Sequence, residues 1–229
     1  MQAGQLAALQ QLSSPALPIG GFSYSQGLEA AVELKLIHHE ASARAWMHDQ
    51  LHEVMAQAEA PLWCLLFGAW QNHDVETVEY WNQWFYASRE THELRQETEQ
   101  MGRALARLAH ELDWAGADQR QALKAIRPTT LPLVHAFLCA EWQLPRRAGL
   151  SAYLFTWLEN QVAAAIKSVP LGQLAGQRIL TELRMQLPGV IEEAIRNSMA
   201  TPPLLRTFAP QYAIVSSRHE SQFSRLFRS

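Results

Sequence analysis

Apolar positions recur along this chain at helical spacing almost from end to end. Between residues 93 and 112, Leu94, Met101, Leu105, Leu108 and Leu112 fall on one stripe, while Arg95, Glu97, Glu99 and Arg103 mostly face elsewhere. That pattern predicts an amphipathic helix. Leu180, Leu183, Leu187, Ile191 and Ile195 mark a second stripe over residues 173–195, with Pro188 predicting a kink or a break in its middle. A third helix is predicted over 150–167, ending at Val169-Pro170. Shorter ones are predicted over 6–12, 25–36, 42–58, 61–72, 75–87, 119–126 and 133–142. β-Branched residues are too sparse and scattered to build several strands. The pattern therefore predicts an all-α, single-domain, bundle-like body of about ten helices.

The pattern changes after Asn197. Thr201-Pro202-Pro203 and then Pro210 read as helix breakers, and Arg206, Arg218, Arg225 and Arg228 accompany a single acid, Glu220. A helical domain over residues 1–200 and an irregular tail over 201–229 are expected. No repeat of 20–50 residues and no Gly/Ser linker divides the helical part.

Composition narrows the partners. With 48% hydrophobic residues in 229, the chain can bury a sizeable core. A formal net charge of -3 offers no general attraction to nucleic acid or anionic lipid, so neither is an expected partner. Cys64 and Cys139 sit in the apolar runs LWCLLF and AFLCAEW, as buried reduced thiols do, which points to the cytoplasm. The first Lys or Arg is Lys35, so a secretory signal is not expected at the start. The longest apolar run, residues 61–70, falls well short of the roughly 20 residues a membrane span needs and reads as a core helix.

Candidate catalytic motifs are few. The lysines, Lys35, Lys124 and Lys167, follow no glycine, so a phosphate-binding GxxxxGK[ST] loop is absent. GFSYSQG approaches the serine-hydrolase elbow without matching it, because Ser25 stands where glycine is needed. Ser23 and Gln26 fit a helix-capping box instead, and Gly20-Gly21 reads as the turn that starts a helix. His48 and His52, four apart on a predicted helix, have the spacing of a weak metal pair, but Asp49 and Glu53 beside them suit a solvated charged face better. His92, His110 and His135 stand alone. Glu90, Glu93, Glu97 and Glu99 have Arg89, Arg95 and Arg103 at ion-pair spacing and read as helix surface, and the eight tryptophans read as core. No catalytic residue emerges, so the chain is expected to be no enzyme.

Three segments exceed what a bundle needs. SSPALPIGGFSYSQGLE interrupts the helices and sets Phe22 and Tyr24 beside Gly20, Gly21, Gln26 and Glu29. In VPLGQLAGQ, Pro170 and Gly172 shape a helix junction with Gln173 and Gln177 on one face. In RHESQFSRLFRS, Phe223, Leu226 and Phe227 alternate with Arg225 and Arg228, the composition of a segment that orders on a partner.

These segments, taken in order and with SRETHELRQETEQMG over residues 88–102, resemble the UreF-type urease accessory proteins across nearly the whole chain. Phe223, where tyrosine is common in that family, is a mild departure. The resemblance implies an all-α homodimer that joins two other accessory proteins, the UreD (UreH) scaffold and the UreG GTPase, to deliver nickel to apo-urease. It implies no cofactor bound directly, nickel being handled by the complex. By position it places partner contacts at Gly20, Gly21, Phe22, Tyr24, Gln26 and Glu29, at Pro170, Gly172, Gln173 and Gln177, and on the tail. The tail residues concerned are Arg218, His219, Glu220, Phe223, Arg225, Leu226, Phe227 and Arg228. Alternative readings are regulation of the partner GTPase and a helical metal-binding protein built on His48 and His52.

Overall fold

The computed structural model describes residues 1–220, 222, 223 and 225–228; among them are twelve α-helices and no β-strand. The tail expectations that fall on Ser221, Ser224 and Ser229 lie outside the described residues. After α1 (Ala3–Leu12) and the short α2 (Leu28–Glu33), a long rod begins at α3 (Glu40–Asp49). His39 opens it by accepting the backbone N–H of Ser42 at Nδ1, 3.1 Å. The rod continues through a wide π-helical segment (Gln50–Glu59) into α4 (Ala60–Gln71). Pro61 therefore does not divide two helices: it sits in the first turn of α4, where its missing N–H costs least. Four residues back, the carbonyl of Gln57 accepts from the backbone of Arg206, 2.9 Å.

Helix α4 is apolar on every side and lies at the centre of the body, as such a helix must. Around it pack α5 (Val75–Ser88), α8 (Leu131–Glu141), α9 (Arg146–Ser168) and α11 (Leu187–Met199). Trp63, Phe67, Phe137 and Leu66 are fully buried, and Trp70 meets Phe137 edge-on, ring centres 4.9 Å apart. Cys64 and Cys139 are buried free thiols, and burial pushes Cys64 up to about 12. The remaining helices are α6 (His92–Glu111), α7 (Ala117–Ala125), α10 (Gln173–Arg184) and α12 (Pro210–His219).

The break expected at Pro188 is present: residues 173–195 divide into α10 and α11, and Pro188 lies in the first turn of the second. Two boundaries differ from the expectation. The predicted helix over 25–36 is cut to α2, because Gln26 and Gly27 both adopt left-handed backbone, φ 51° and 79°. Pro210, read as a breaker, instead starts α12, whose Tyr212, Val215, Ser216 and His219 are buried. Ten of the 29 residues expected as irregular tail thus form a helix with a buried face. The stripe on α6 also differs: Leu94, Met101, Leu105 and Ala109 face inward together with Glu93 and Glu97, while Leu112 is exposed.

Helix α6 approaches the 129–130 backbone so closely that only glycine fits at position 102. A Cβ there would lie 2.2 Å from the carbonyl oxygen of Thr129 and 2.4 Å from the carbonyl carbon of Thr130. Both are backbone atoms that cannot swing aside. Gly102→Ala is accordingly expected to cost about 3 kcal/mol, read as a lower urea midpoint at unchanged slope.

Candidate functional site

The clustering of unusual segments begins at Gly20. Its φ of 82° caps a single turn of 3-10 helix (Gly21–Ser23), and the buried Gly21 brings that turn against α9. A Cβ on Gly21 would sit 2.7 Å from Asn160 Nδ2 and 3.2 Å from Met101 Cε. The turn leaves Phe22 exposed but buries Tyr24, whose hydroxyl donates to Gln100 Oε1 at 2.6 Å. Burial, more than any neighbouring charge, raises the Tyr24 hydroxyl above its ordinary range.

Gln26 does not close a capping box with Ser23. Its side chain donates from Nε2 to Glu97 Oε1 at 2.7 Å, and its Oε1 accepts Trp157 Nε1–H at 2.7 Å. The left-handed backbone at Gln26 is what turns the amide inward to join α6 and α9. The residue that receives a hydroxyl cap is Glu29, whose backbone N–H lies 3.3 Å from Ser25 Oγ.

Glu29 is the centre of the arrangement. Although it lies in the first turn of α2, where a solvated acid would merely favour the helix dipole, its side chain is only 8% exposed. Oε1 accepts the backbone N–H of Leu226 at 2.7 Å. Oε2 accepts that of Phe227 at 3.0 Å and faces His219 Nε2 at 3.2 Å. On the other side of the fully buried His219 ring, Nδ1 faces Glu93 Oε2 at 2.8 Å. The ring thus lies between two carboxylates, one facing each of its nitrogens. Glu93 Oε1 also accepts Arg225 at 2.8 Å.

Smaller contacts complete the closure. The backbone N–H of Arg228 donates to Ser23 O at 2.7 Å, His92 N to Glu220 Oε1 at 3.0 Å, and Lys167 Nζ lies 5.4 Å from the centre of the Phe227 ring. The Ser216 backbone passes within 3.4 Å of where a Cβ on Gly27 would be.

The structure therefore brings the N-terminal, 88–102 and C-terminal motifs into one place. The remaining motif, VPLGQLAGQ, forms the α9–α10 junction two residues beyond Lys167, with Pro170, Gly172, Gln173 and Gln177 all exposed. Of the candidate partner-contact residues, Gly21, Tyr24, Glu29, His219 and Phe227 are buried, with Glu29 bonded to the tail, while Gly20, Phe22, Glu220, Phe223, Leu226 and Arg228 are exposed. The tail, expected to order on another protein, is ordered here against its own chain.

Sequence reasoning missed Glu93 and Glu97, taken for ion-paired surface. A signal was present: Glu97 lies three residues from Leu94 and four from Met101, on the apolar stripe itself. Of the local pairs expected, Arg103 does meet Glu99, but Arg89 turns away to Glu59, 3.0 Å, in a buried pair that also receives the Tyr153 hydroxyl. His48 and His52 lie with ring centres 4.5 Å apart, their planes tilted by 40°, and His52 bonds Gln186 Oε1 at 2.7 Å. Among the described residues no group of three or more His, Cys, Asp or Glu is arranged to hold a metal ion.

Beneath the seat of the tail lies a cavity of about 50 Å³ bordered by Gln26, Glu59, Glu97, His135 and Gln161. His135 accepts the Trp63 indole N–H at Nδ1, 3.1 Å, which places its own proton on Nε2. Burial pushes this imidazole down to about 3.

Fold and site together define an all-helical protein that folds its own chain end onto a buried, charged seat. A profile of the UreF family matches residues 37–184. The chain belongs to the UreF family of urease accessory proteins, which act in urease maturation. It is 70% identical over 218 residues to the urease accessory protein UreF of Bordetella parapertussis, covering 95% of this chain and 99% of that protein. To the UreF of Cupriavidus metallidurans it is 52% identical over 225 residues, covering 98% of each. With the bifunctional urease accessory protein UreEF of Bordetella bronchiseptica it shares 69% identity over all 229 residues, which span about half, 53%, of that longer protein. Among the described residues no helix is long and apolar enough to cross a membrane.

Two outcomes follow from the geometry. Glu29→Ala leaves two backbone donors and an imidazole unmet, so trypsin cleavage after Arg225 is expected to accelerate about tenfold or more. Glu29→Gln, which keeps one acceptor oxygen, should fall between; equal cleavage of all three proteins would show that Glu29 does not hold the tail. For His135 the folded value lies below the unfolded one near 6.5. Stability is therefore intact above that pH and is lost as pH falls toward 3, by up to about 1.4 kcal/mol per unit. His135→Gln should remove about that slope from urea unfolding measured between about pH 6 and about pH 4.

Proposed function

We propose that the chain acts as an assembly factor bridging a UreD/UreH-type scaffold and the UreG GTPase, as a homodimer, in the complex that delivers nickel to apo-urease. Nickel is cargo in this reading, and no catalytic step falls to the chain. The observation that carries it is the clamped chain end. Buried groups spend their hydrogen bonds fixing this end, while Phe223, at 106% relative exposure, and Leu226, at 71%, are left facing outward beside Arg228. Two large apolar side chains on a fixed segment rimmed by arginine have the make-up of an interface anchor. At the α9–α10 junction, the exposed Leu174 beside Gln173 and Gln177 supports a second contact area. The Bordetella fusion named UreEF adds support for a place beside UreE in the same assembly.

The structure sharpens the test. Deleting everything after Arg218 would remove the fully buried His219 and strand Glu29 and Glu93, so loss of binding would be ambiguous. Phe223→Ser with Leu226→Ser changes only exposed side chains. This double variant is expected to keep its helix content and thermal midpoint while binding the scaffold protein at least about a hundredfold more weakly. Wild-type affinity would overturn the assignment of this surface to the scaffold.

A further inference from the structure

The far end of α6 holds a feature that the tail seat does not use. Between α6, α7 and the turn at residues 127–129 lies a cavity of about 200 Å³. Six of its ten lining residues are basic: Arg103, Arg107, His110, Arg120, Lys124 and Arg127. No carboxylate lines it. Glu99 and Asp113 pair with Arg103 and Arg120 from outside, whereas Arg107, Lys124 and Arg127 have no carboxylate partner among the described residues.

Burial divides the walls. Ala109 and Leu123 are buried beneath the hollow, the half-buried Ala106 offers accessible apolar surface within it, and Arg103, Arg107, His110, Lys124 and Arg127 stand exposed around it. Arg120 spans the two zones. Its Nη1 donates to the carbonyl of His110 at 2.9 Å, and its Nε is buried with no acceptor among the described residues. A buried guanidinium N–H without an acceptor is costly unless an anion supplies one. With Arg103 and Arg120 paired and Arg127 donating to the Lys124 and Ile126 carbonyls and to Thr129 Oγ1, the charges of Arg107, Lys124 and Arg127 still lack a counter-ion, and a bound anion supplies one.

We infer that this cavity binds a small phosphate ester, an anionic head held by the basic rim with a flat apolar body against Ala106 and the aliphatic stems of the basic side chains. A nucleoside diphosphate has that chemistry. Polymeric nucleic acid does not suit it, because the basic residues enclose a hollow rather than a stripe and the chain is acidic overall, at net charge -3. An acidic helix from another protein, about 10 Å across, would not enter so small a space.

Calorimetric titration of the full chain with ADP, pyrophosphate and adenosine tests the assignment. ADP is expected to bind saturably, pyrophosphate more weakly, and adenosine not measurably, with ADP affinity falling as salt rises. Arg107→Ala with Lys124→Ala removes two exposed cations and should weaken ADP binding about tenfold or more. Ala106→Phe fills the hollow while keeping every cation, and should abolish ADP binding at unchanged helix content. ADP binding that survives Ala106→Phe would reveal nonspecific surface charge and overturn the proposal. The absence of saturable ADP binding would overturn it too, as would pyrophosphate binding as tightly as ADP.

Discussion

A carboxylate removed from water must be met by donors, and among the described residues Glu29 finds its side-chain donors in the last eleven residues of the chain. Two backbone N–H groups and the His219 imidazole converge on its two oxygens. Nothing nearer in sequence supplies them, and α2 is too short at six residues to hold itself. The seat and the tail are thus each incomplete alone. Glu93 repeats the arrangement from α6, facing His219 with one oxygen and Arg225 with the other.

Buried charge of this kind contributes little net stability, because desolvation cancels much of the attraction, yet removing one partner is expensive. Its effect is on conformation: few other placements of the tail would satisfy two buried acids and an imidazole at once. That constraint explains the local irregularities around it. The left-handed backbone at Gln26 and Gly27 shortens α2 and aims Gln26 at Glu97 and Trp157, while Gly21 lets the preceding turn lie against Asn160. Apolar burial of Tyr212 and Val215 then brings α12 down so that His219 arrives between the carboxylates.

Helical periodicity made the all-α class and most of the elements legible from the sequence. The stripe through Leu180, Leu183, Leu187, Ile191 and Ile195 is buried as expected, because apolar spacing reports burial directly. Prolines were less informative. Pro61, Pro188 and Pro210 all sit in first turns, and the rule that proline ends helices does not say which side of it a helix lies on. For the site, the sequence marked the correct segments but not their relation. Glu29 and His219 lie 190 residues apart, so no local spacing rule could pair them. The rule that was applied, acids beside arginines along one helix, drew Glu93 and Glu97 onto the surface, when their partners come from other parts of the chain.

Helix α6 links the two ends of this molecule. Its first half carries Glu93, Glu97 and Glu99 against the single Arg95, its second Arg103, Arg107 and His110 against the single Glu111, so each half leans to the sign that the helix dipole favours at its end. At about 1.5 Å per residue, Glu93 and Arg107 stand roughly 21 Å apart along its axis. That distance exceeds the screening length of about 8 Å at physiological salt, so the two charge sets scarcely interact through solvent. The acid end consumes its charge internally by holding the tail, while the basic end, lacking carboxylates in its hollow, keeps charge available to a ligand. Any coupling between them must pass mechanically along the helix. Gly102, wedged against the 129–130 backbone between the two ends, is the point where such a shift would meet resistance.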